Sequence, residues 1–346
     1  MRNETPRVLV APDSFKGTFA APEVADAIAR GLERAGLAAD RCPVADGGEG
    51  MLDAIVAASG GTVVAAPAHD PLGRPLEGRF ALLGDDRTAL VETATASGLA
   101  LLTKDQRDPW EASTFGTGEL IAAALDAGAR EVLVAVGGSA TVDGGAGALA
   151  ALSSRGDGLG GARVVVLCDV RTPWERCAEV YGPQKGADAA MVQRLAARLD
   201  AQASALPRDP RGVAGTGAAG GLAGALWAVY DAVLEPGAAR VLDAVGFDAR
   251  LVGAAAVVCG EGRIDSQSGE GKVVGEISAR AARVGAGRAG VPVHALVGRR
   301  ELNEDGRRAL GLASIAEATT LAELEVAGEA LGRSLLKQGF PTAGLS

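Results

Sequence analysis

Short apolar runs alternate along the chain with segments whose apolar residues recur every three or four positions. Residues 7–11 form an apolar run, whereas Val24, Ile28 and Leu32 recur at four-residue spacing in the segment that follows. The first pattern indicates a buried strand, and the second indicates an amphipathic helix, here over residues 22–35. Strand and helix signals continue to alternate in this way, which predicts an α/β protein.

The predicted elements are regular at both ends of the chain and less regular in the middle. The expected strands are 7–11, 41–45, 62–66, 76–83, 88–92, 131–136, 163–168, 254–259 and 291–297. The expected helices are 22–35, 51–59, 116–127, 146–153, 187–205, 222–231, 273–283, 304–310 and 321–338. We therefore expect residues 1–64 and 250–346 to form one doubly wound domain, with 65–249 inserted as a second α/β domain.

Composition narrows the functions available to this chain of 346 residues. The net charge is −9 and no run of Lys or Arg occurs, so an electrostatic nucleic-acid binder is not expected. Only two His are present, His69 and His294, so a His-based zinc site or a Ser-His-Asp triad would have to use one of these two residues. The four Cys are far apart, as is typical of a reducing cytoplasm, and neither a signal peptide nor a membrane span is expected.

Five glycine-containing loops carry most of the candidate chemistry. In the first, Asp13, Ser14 and Lys16 precede a helix N-terminus, where an anion would meet a basic side chain and backbone N–H groups. A surface loop with a solvated lysine is the alternative. In the second, Asp46 and Glu49 are spaced to bind Mg²⁺ through oxygen, unless they form only an acidic turn.

The last of the five loops mixes both charges. Glu261 and Asp265 form a candidate metal site, and Arg263 and Lys272 are candidate ligands for a carboxylate or phosphate. So dense a mixture is hard to explain by structure alone. The pattern G-x-x-x-x-G-K-[ST] does not occur there, because Ser266 stands where its first glycine belongs, and a P-loop is therefore excluded.

The third loop has the composition of a phosphate-binding turn. Residues 137–145 read G-G-S-A-T-V-D-G-G, and their backbone N–H groups form a candidate phosphate cradle. The fourth loop, at 215–221, matches G-x-G-x-x-G, but no strand precedes it, so we interpret it as a close-approach loop or a tight helix start, and a dinucleotide-dependent dehydrogenase is the least favoured interpretation. The candidate phosphate ligands are Gly137, Gly138, Ser139, Thr141, Thr117, Gly118, Gly220 and Gly221, and Asp143 is a further candidate metal ligand.

Asp169 and Lys185 complete this set of residues. Asp169 ends a predicted strand, and Lys185 lies in the turn G-P-Q-K-G. With the loops, they provide the glycine cradle, the cations, the Mg²⁺ carboxylates and the base that phosphoryl transfer to an alcohol requires.

The order of these motifs resembles that of the bacterial glycerate kinase family, in its glycerate 2-kinase subgroup. The motifs are A-P-D-S-F-K-G at 11–17, A-D-G-G-E-G at 45–50, A-S-G-L at 96–99, S-T-F-G-T-G-E-L-I at 113–121, the loop 137–145, G-P-Q-K-G-A at 182–187, G-A-A-G-G at 217–221 and G-E-G-R-I-D-S-Q at 260–267. Because they span nearly the whole chain in one order, together they are far more specific than any single loop.

The resemblance implies ATP-dependent phosphorylation of D-glycerate at its 2-hydroxyl in the cytoplasm. It also implies a flavodoxin-like domain built from both chain ends, a second α/β domain inserted into it, and substrates held in the cleft between them. The expected cofactors are ATP and Mg²⁺. The expected partners are glycerate and ATP, without nucleic acid or membrane, and the oligomeric state is left open.

Residue chemistry then assigns three sets of roles. The substrate is expected to meet Asp13, Ser14, Lys16, Ser97 and Arg263. The phosphates are expected to meet the third loop, Lys185 and Lys272. The candidate catalytic residues are Asp169, Lys16, Lys185 and Arg263.

Two stretches depart from the family pattern. The segment 153–162 is shorter than in family members, and the family's C-D-V-x-N-P-L reads C-D-V-R-T-P-W at 168–174. Both lie near Asp169 in sequence, so three alternatives stay open: a kinase for a related small hydroxy acid, phosphorylation of glycerate at the 3-hydroxyl, and a degenerate paralogue that binds ligand without turnover. The retained acids and lysines argue against the last.

Overall fold

The computed structural model describes residues 6–15, 18–45, 50–265, 273–284 and 290–338. The chain divides into two units, one formed by 1–46 with 241–346 and the other by 47–240. In the part of the chain that is described, no helix combines the length and the apolar sequence needed to cross a bilayer.

The elements alternate much as the hydrophobic pattern predicts. The strands are β1 (Arg7–Pro12), β2 (Ala38–Arg41), β3 (Gly61–His69), β4 (Pro75–Leu83), β5 (Thr88–Glu92), β6 (Glu131–Ala135), β7 (Arg163–Leu167), β8 (Val233–Glu235), β9 (Ala256–Ile264), β10 (Val293–Arg300) and β11 (Leu312–Glu317). The helices are α1 (Ala21–Arg34), α2 (Met51–Ser59), α3 (Ala94–Ser97), α4 (Phe115–Asp126), α5 (Ala146–Ser153), α6 (Cys177–Tyr181), α7 (Ala189–Ala205), α8 (Leu222–Tyr230), α9 (Gly237–Ala244), α10 (Phe247–Leu251), α11 (Val273–Val284), α12 (Glu304–Ala309) and α13 (Leu321–Gln338).

The first unit is built on a parallel sheet with the strand order β2-β1-β9-β10-β11. Counted within the unit, this is the 2-1-3-4-5 order of flavodoxin-like folds, and the predicted fold class is confirmed. Val8, Val10 and Val258 of the sheet are buried and pack with Ile28 of α1 and Leu324 of α13. The strand order reverses between β1 and β9, which leaves a crevice at the carboxyl ends of these strands.

The second unit contains a mixed sheet in the order β3-β4-β5-β6-β7-β8. The pairs β3–β4 and β4–β5 are antiparallel, whereas β5 to β8 run parallel. β5, β6 and β7 are apolar and almost entirely buried, as expected of parallel strands covered on both faces. Their carboxyl ends meet at one edge of the sheet, where the loop 137–145 and Asp169 follow.

Several boundaries differ from the sequence prediction. β2 lies at 38–41 instead of the expected 41–45, because residues 38–41 are the ones that pair with β1. Beyond them, Cys42 and Val44 each donate one backbone hydrogen bond to β1. The hydrophobic pattern also misses β8, β11, α3, α6, α9 and α10. The expected domain boundaries, 64/65 and 249/250, fall inside β3 and α10, since β3 pairs with β4 in the second unit.

The difference that matters most for the site concerns β9 and β10, which continue past the expected strand ends at 259 and 297. Glycines interrupt the apolar runs there, so the sequence predicts loops. In the structure the ladder between these strands continues through the pair Arg263–Arg299 to Ile264–Arg300. Tertiary pairing overrides the local glycine signal, and Arg263 consequently lies on a strand.

Small residues allow α1 and α13 to pack closely. A Cβ at Gly31 would lie 2.1 Å from the Glu325 carbonyl oxygen and 2.7 Å from the Glu329 nitrogen. We expect Gly31→Ala to lower the free energy of unfolding by about 1–3 kcal/mol, because overpacking outweighs the gain in helix propensity. Urea denaturation measures this loss. Gly306→Ala in α12 is the control, since its Cβ would meet only the Leu302 side chain and Asn303 Oδ1. An equal loss there would contradict the packing argument.

Candidate active site

A cavity of about 500 Å³ lies at the carboxyl edge of the sheet in the first unit. This is the crevice where the strand order reverses, the place where open α/β sheets bind their ligands. Five predicted site residues converge there: Asp13, Ser14, Glu261, Arg263 and Asp265. The remaining lining residues are Phe15, Thr18, Gly262, Gly298, Arg299 and Thr319.

Asp13 is the most deeply buried carboxylate of this cavity. It follows β1 directly, and its N–H donates to the Gly260 carbonyl at 2.8 Å, which ties it to β9. The Ser14 N–H donates to Asp13 Oδ1 at 2.6 Å, and Asp13 is only 4% exposed. A buried carboxylate in a cavity wall is a group that can accept a hydrogen bond, and then a proton, from a hydroxyl.

Four predicted site residues lie outside the described residues: Lys16, Asp46, Glu49 and Lys272. The roles assigned to them remain predictions.

In the second unit, Lys185 anchors the predicted phosphate loop. Its Nζ donates to Ser139 Oγ at 2.8 Å and to the Thr141 carbonyl at 2.7 Å. Because Lys185 is only 3% exposed, it braces the loop from inside the protein. Gly138 is the exposed part of the loop, with a φ of 72°, and Gly137 is half-buried beside it.

Burial also sets the charge state of Lys185. Loss of solvation lowers the pKa of this ammonium to about 8, and Cys177 and Asp143 oppose the shift. The face of Tyr181, 5.8 Å from Nζ, adds a weak attraction for the cation. Lys185 is therefore still mostly charged at neutral pH, and a phosphate bound nearby would favour that charge further.

Asp143, a predicted metal ligand, accepts hydrogen bonds from the starts of two helices. Its Oδ2 accepts hydrogen bonds from the Thr114 N–H and hydroxyl at 2.9 and 2.8 Å and from the Gly147 N–H at 3.2 Å. Its Oδ1 accepts one from the Gly145 N–H at 3.0 Å. Four donors thus meet this carboxylate at the starts of α4 and α5, an arrangement that fixes the two helix termini.

Ser97, Thr117 and Gly118 are packed inside the second unit. The Thr117 hydroxyl donates to Ser97 Oγ at 2.8 Å, and both residues are 0% exposed. The Ser97 carbonyl accepts from the Ala140 N–H at 2.9 Å. A Cβ at Gly118 would lie 2.7 Å from Ala148 of α5. In this structure these residues are buried and support the phosphate loop, and the ligand-binding roles assigned to them from sequence remain predictions.

Gly220 and Gly221 serve a similar packing function. A Cβ on Gly220, which has a φ of 66°, would lie 2.0 Å from the Thr141 carbonyl oxygen. A Cβ on Gly221 would lie 2.8 Å from Gly144 Cα. The fourth loop therefore packs directly against the third, and its glycines are needed for that close approach.

Asp169 stands at the carboxyl end of β7, as the sequence predicts. Its Oδ1 accepts a hydrogen bond from the Ala238 N–H in the first turn of α9 at 3.2 Å. A carboxylate at this position satisfies a free helix N–H group and interacts favourably with the helix dipole. This geometry gives Asp169 a role in holding the start of α9, and the catalytic role assigned to it from sequence remains a prediction.

We expect Asp169→Ala to lower the free energy of unfolding by about 0.5–2 kcal/mol, the usual cost of losing a helix cap, and Asp169→Asn to cost less. Activity of the Asn variant should stay within about tenfold of wild type, since Asn also caps. Asp188→Ala is the matched control, because Asp188 caps α7 through the Met191 N–H at 2.8 Å. A large loss of kcat in a stable Asn variant would support the catalytic assignment.

The Mg²⁺ expected from the sequence has few candidate ligands among the described residues. No three His, Cys, Asp or Glu side chains converge as a preformed metal site among the residues that the structure describes. Mg²⁺ in phosphotransferases takes one or two carboxylates, with water and phosphate oxygens completing its shell. Glu261 and Asp265 line the cavity and fit this smaller requirement.

Sequence reasoning missed Glu92 and Arg299. Glu92 ends β5, is 2% exposed and accepts a hydrogen bond from the Leu52 N–H at 2.9 Å, so it holds the start of α2. Burial raises the pKa of its carboxyl group. A carboxylate directly after an apolar run is the signal that identified Asp169, and it applies equally to Glu92.

Arg299 follows an apolar run that was expected to end at 297, and only the register of β10 places it in the cavity.

The fold is a two-unit α/β architecture with candidate ligand sites at the carboxyl ends of the strands in each unit. Comparison with protein families gives a match to the glycerate kinase family over residues 8–157 and 153–335. The chain belongs to the glycerate kinase family, and the resemblance seen in its motifs is confirmed. The two matched segments meet at 153–157, where the shortened segment begins.

Individual relatives are similar over most of the chain. A glycerate kinase of Bacillus subtilis (strain 168) is 41% identical over 303 residues, which are 77% of this chain and 79% of that protein. A glycerate 2-kinase of Escherichia coli (strain K12) is 38% identical, covering 77% and 80%. A crystal structure from Salmonella typhimurium LT2, assigned as a candidate glycerate kinase 2, superposes with a TM-score of 0.80 at 33% identity, covering 97% of this chain and 99% of that one.

Proposed function

We propose that this protein is an ATP-dependent kinase that phosphorylates D-glycerate at its 2-hydroxyl to give 2-phosphoglycerate. Membership of the glycerate kinase family supports the reaction, and the similarity to a glycerate 2-kinase of Escherichia coli supports the position. The observation that carries the proposal is the mixed charge of the cavity in the first unit.

Glycerate matches this cavity in chemistry. The substrate has one carboxylate, which needs cationic partners, and two hydroxyls, which need acceptors. The cavity offers two arginines, Arg263 and Arg299, and three carboxylates, Asp13, Glu261 and Asp265. A purely cationic cavity would lack acceptors for the hydroxyls, and a purely apolar cavity would lack both acceptors and cations. The combination of arginines and carboxylates therefore favours a small hydroxy acid.

In the proposed reaction, Asp13 binds the substrate 2-hydroxyl through its carboxylate. As the hydroxyl oxygen attacks the γ-phosphorus of ATP, Asp13 accepts the hydroxyl proton. The new O–P bond forms, the bond to the β,γ-bridging oxygen breaks, and ADP leaves with that electron pair. Such a base contributes roughly 10²- to 10⁴-fold to the rate.

We assign the phosphates of ATP to the loop 137–141. Gly138 is exposed on this loop, and backbone N–H groups after a strand suit phosphate oxygens. Lys185 holds the loop in shape and contributes positive charge from behind it. Glu261 and Asp265 would hold Mg²⁺, which supplies charge neutralisation to the transferred phosphoryl group.

The proposal is tested by ATP turnover on matched acceptors. We expect ADP release with D-glycerate and Mg²⁺ but not with glycerol, which has a CH₂OH group in place of the carboxylate. No ADP release above background with D-glycerate or any other C3 or C4 hydroxy acid would contradict a kinase of this class.

A further inference from the structure

Arg263 and Arg299 stand side by side in the cavity. They are register partners on the neighbouring parallel strands β9 and β10. Partners in such a ladder project from the same face of the sheet, so both guanidinium groups extend into the same region. Both residues line the cavity, and their side chains are 61% and 72% exposed.

This pairing is unfavourable for the protein alone. Like charges directly opposite each other on adjacent strands repel. Each arginine contacts one carboxylate on its own strand or just beyond it: Arg263 Nε lies 3.5 Å from Asp265, and Arg299 Nε lies 3.1 Å from Glu301. Neither guanidinium donates a further hydrogen bond within the described residues, so nearly all their donors face solvent.

The adjacent Arg300 shows what a structural arginine looks like on the same strand. Its Nε donates to the Leu302 carbonyl at 2.8 Å and its guanidinium also pairs with Glu304 at 2.6 Å. It is thus committed to the end of β10, whereas Arg263 and Arg299 keep their donors available. An oxyanion between the two would remove their repulsion and accept hydrogen bonds from both.

We propose that Arg263 and Arg299 act together as a clamp for the substrate carboxylate, and that Arg299 is thereby a specificity residue of this enzyme. The inference rests on the proposed function and names the groups that recognise the acid end of the substrate. It explains selection of a hydroxy acid over a neutral polyol.

The surrounding charge favours a carboxylate over a phosphate in this position. Asp13, Glu261 and Asp265 line the same cavity. Asp13 is not among the proposed Mg²⁺ ligands, and it would repel a phosphate, which carries close to two negative charges, more strongly than a carboxylate carrying one. A hydroxyl of the hydroxy acid, in contrast, is a donor that Asp13 can accept.

The test compares Arg299→Gln, Arg263→Gln, the double variant and Arg299→Lys with wild type. Titration calorimetry measures D-glycerate binding, and steady-state assays give KM and kcat for D-glycerate and for ATP. Arg333→Gln is the matched control, since this exposed arginine pairs with Glu329 on α13 and does not line the cavity.

We expect each Gln variant to weaken glycerate binding and raise its KM about 10- to 100-fold, the scale of losing charge-assisted hydrogen bonds. The KM for ATP and kcat should change by less than about threefold, because the clamp binds ground state and transition state alike. Arg299→Lys should fall between Gln and wild type, since lysine keeps the charge but loses the planar fork. Arg333→Gln should behave as wild type.

Other outcomes separate the clamp from the proposed function. A wild-type enzyme that turns over glycerate while Arg299→Gln leaves glycerate binding and KM unchanged overturns the clamp alone. A rise in the KM for ATP with unchanged KM for glycerate also overturns it, because the pair would then bind phosphate. A wild type without activity on glycerate overturns the proposed function, and the clamp with it.

Discussion

Replacing Lys185 by Met is expected to lower kcat about 100- to 1,000-fold, as the loss of one preorganised charge-stabilising donor does in other enzymes. Lys185 Nζ holds both the Ser139 hydroxyl and the Thr141 carbonyl. Without it, the loop 137–141 loses its anchor, and a buried carbonyl loses its donor at a cost of about 1–3 kcal/mol. The phosphate-binding geometry and its positive charge would be lost together.

The pH dependence of the same residue gives an independent readout. Burial lowers the pKa of Lys185 to about 8, from an ordinary 10.5. If the charged form is required, wild-type kcat/KM should fall above about pH 8. Between pH 8 and 10.5 the unfolded chain binds more protons at this lysine than the folded protein does, so this group makes stability rise with pH across that window. Lys185→Met should lack that contribution.

Lys104→Met is the matched control for Lys185→Met, because Lys104 is exposed on the surface of the second unit. It should keep wild-type kcat and wild-type pH dependence. Urea denaturation of both variants separates loss of fold from loss of activity. A folded Lys185→Met enzyme with near-wild-type kcat would remove the lysine from the mechanism.

Asp13→Asn is expected to reduce kcat about 10²- to 10⁴-fold, the usual range for a general base. The substitution preserves the shape of the side chain. In the wild type the Ser14 N–H donates to Asp13 Oδ1 at 2.6 Å, and the amide oxygen of Asn can accept the same hydrogen bond. What is lost is the ability to take the hydroxyl proton. The KM for glycerate should change much less than kcat, since the positional contacts survive.

Two comparisons make the Asp13 result specific. Asp85→Asn is the control, because Asp85 accepts hydrogen bonds from the N–H and hydroxyl of Thr88, the first residue of β5. Asp85 therefore lies in the turn before β5, at the amino end of that strand. It should leave kcat unchanged. If Asp13→Asn retains kcat within about fivefold while remaining folded, the base is another group, and the assignment of Asp13 fails.

Much of the fold could be predicted from hydrophobic periodicity. Long apolar runs such as those of β1, β6 and β7, and the four-residue spacing in α1, gave elements that the structure contains. Short elements such as β8 and α10 carry too few residues for a period to be recognised. The sequence predicted the carboxyl ends of β9 and β10 too early, because glycines there indicate loops. In the structure, pairing between the two strands extends both past these glycines.

The candidate site was predictable where a charged residue directly follows an apolar run. Asp13 was found in this way, and Glu92 carries the same signal. Arg299 was not found, because its position depends on register with Arg263, which is information that one strand alone does not contain. Glycines were the least informative residues, since Gly118 and Gly220 turned out to permit close packing of protein against protein.

The most direct test of the central claim is a coupled assay with wild-type enzyme, D-glycerate, ATP and Mg²⁺. Enolase is added without a phosphoglycerate mutase, so that only the 2-phosphate is converted to phosphoenolpyruvate. We predict that phosphoenolpyruvate accumulates at the rate of ADP release. Phosphoenolpyruvate that forms only after the mutase is added would assign the 3-hydroxyl, and no ADP release at all would contradict the kinase.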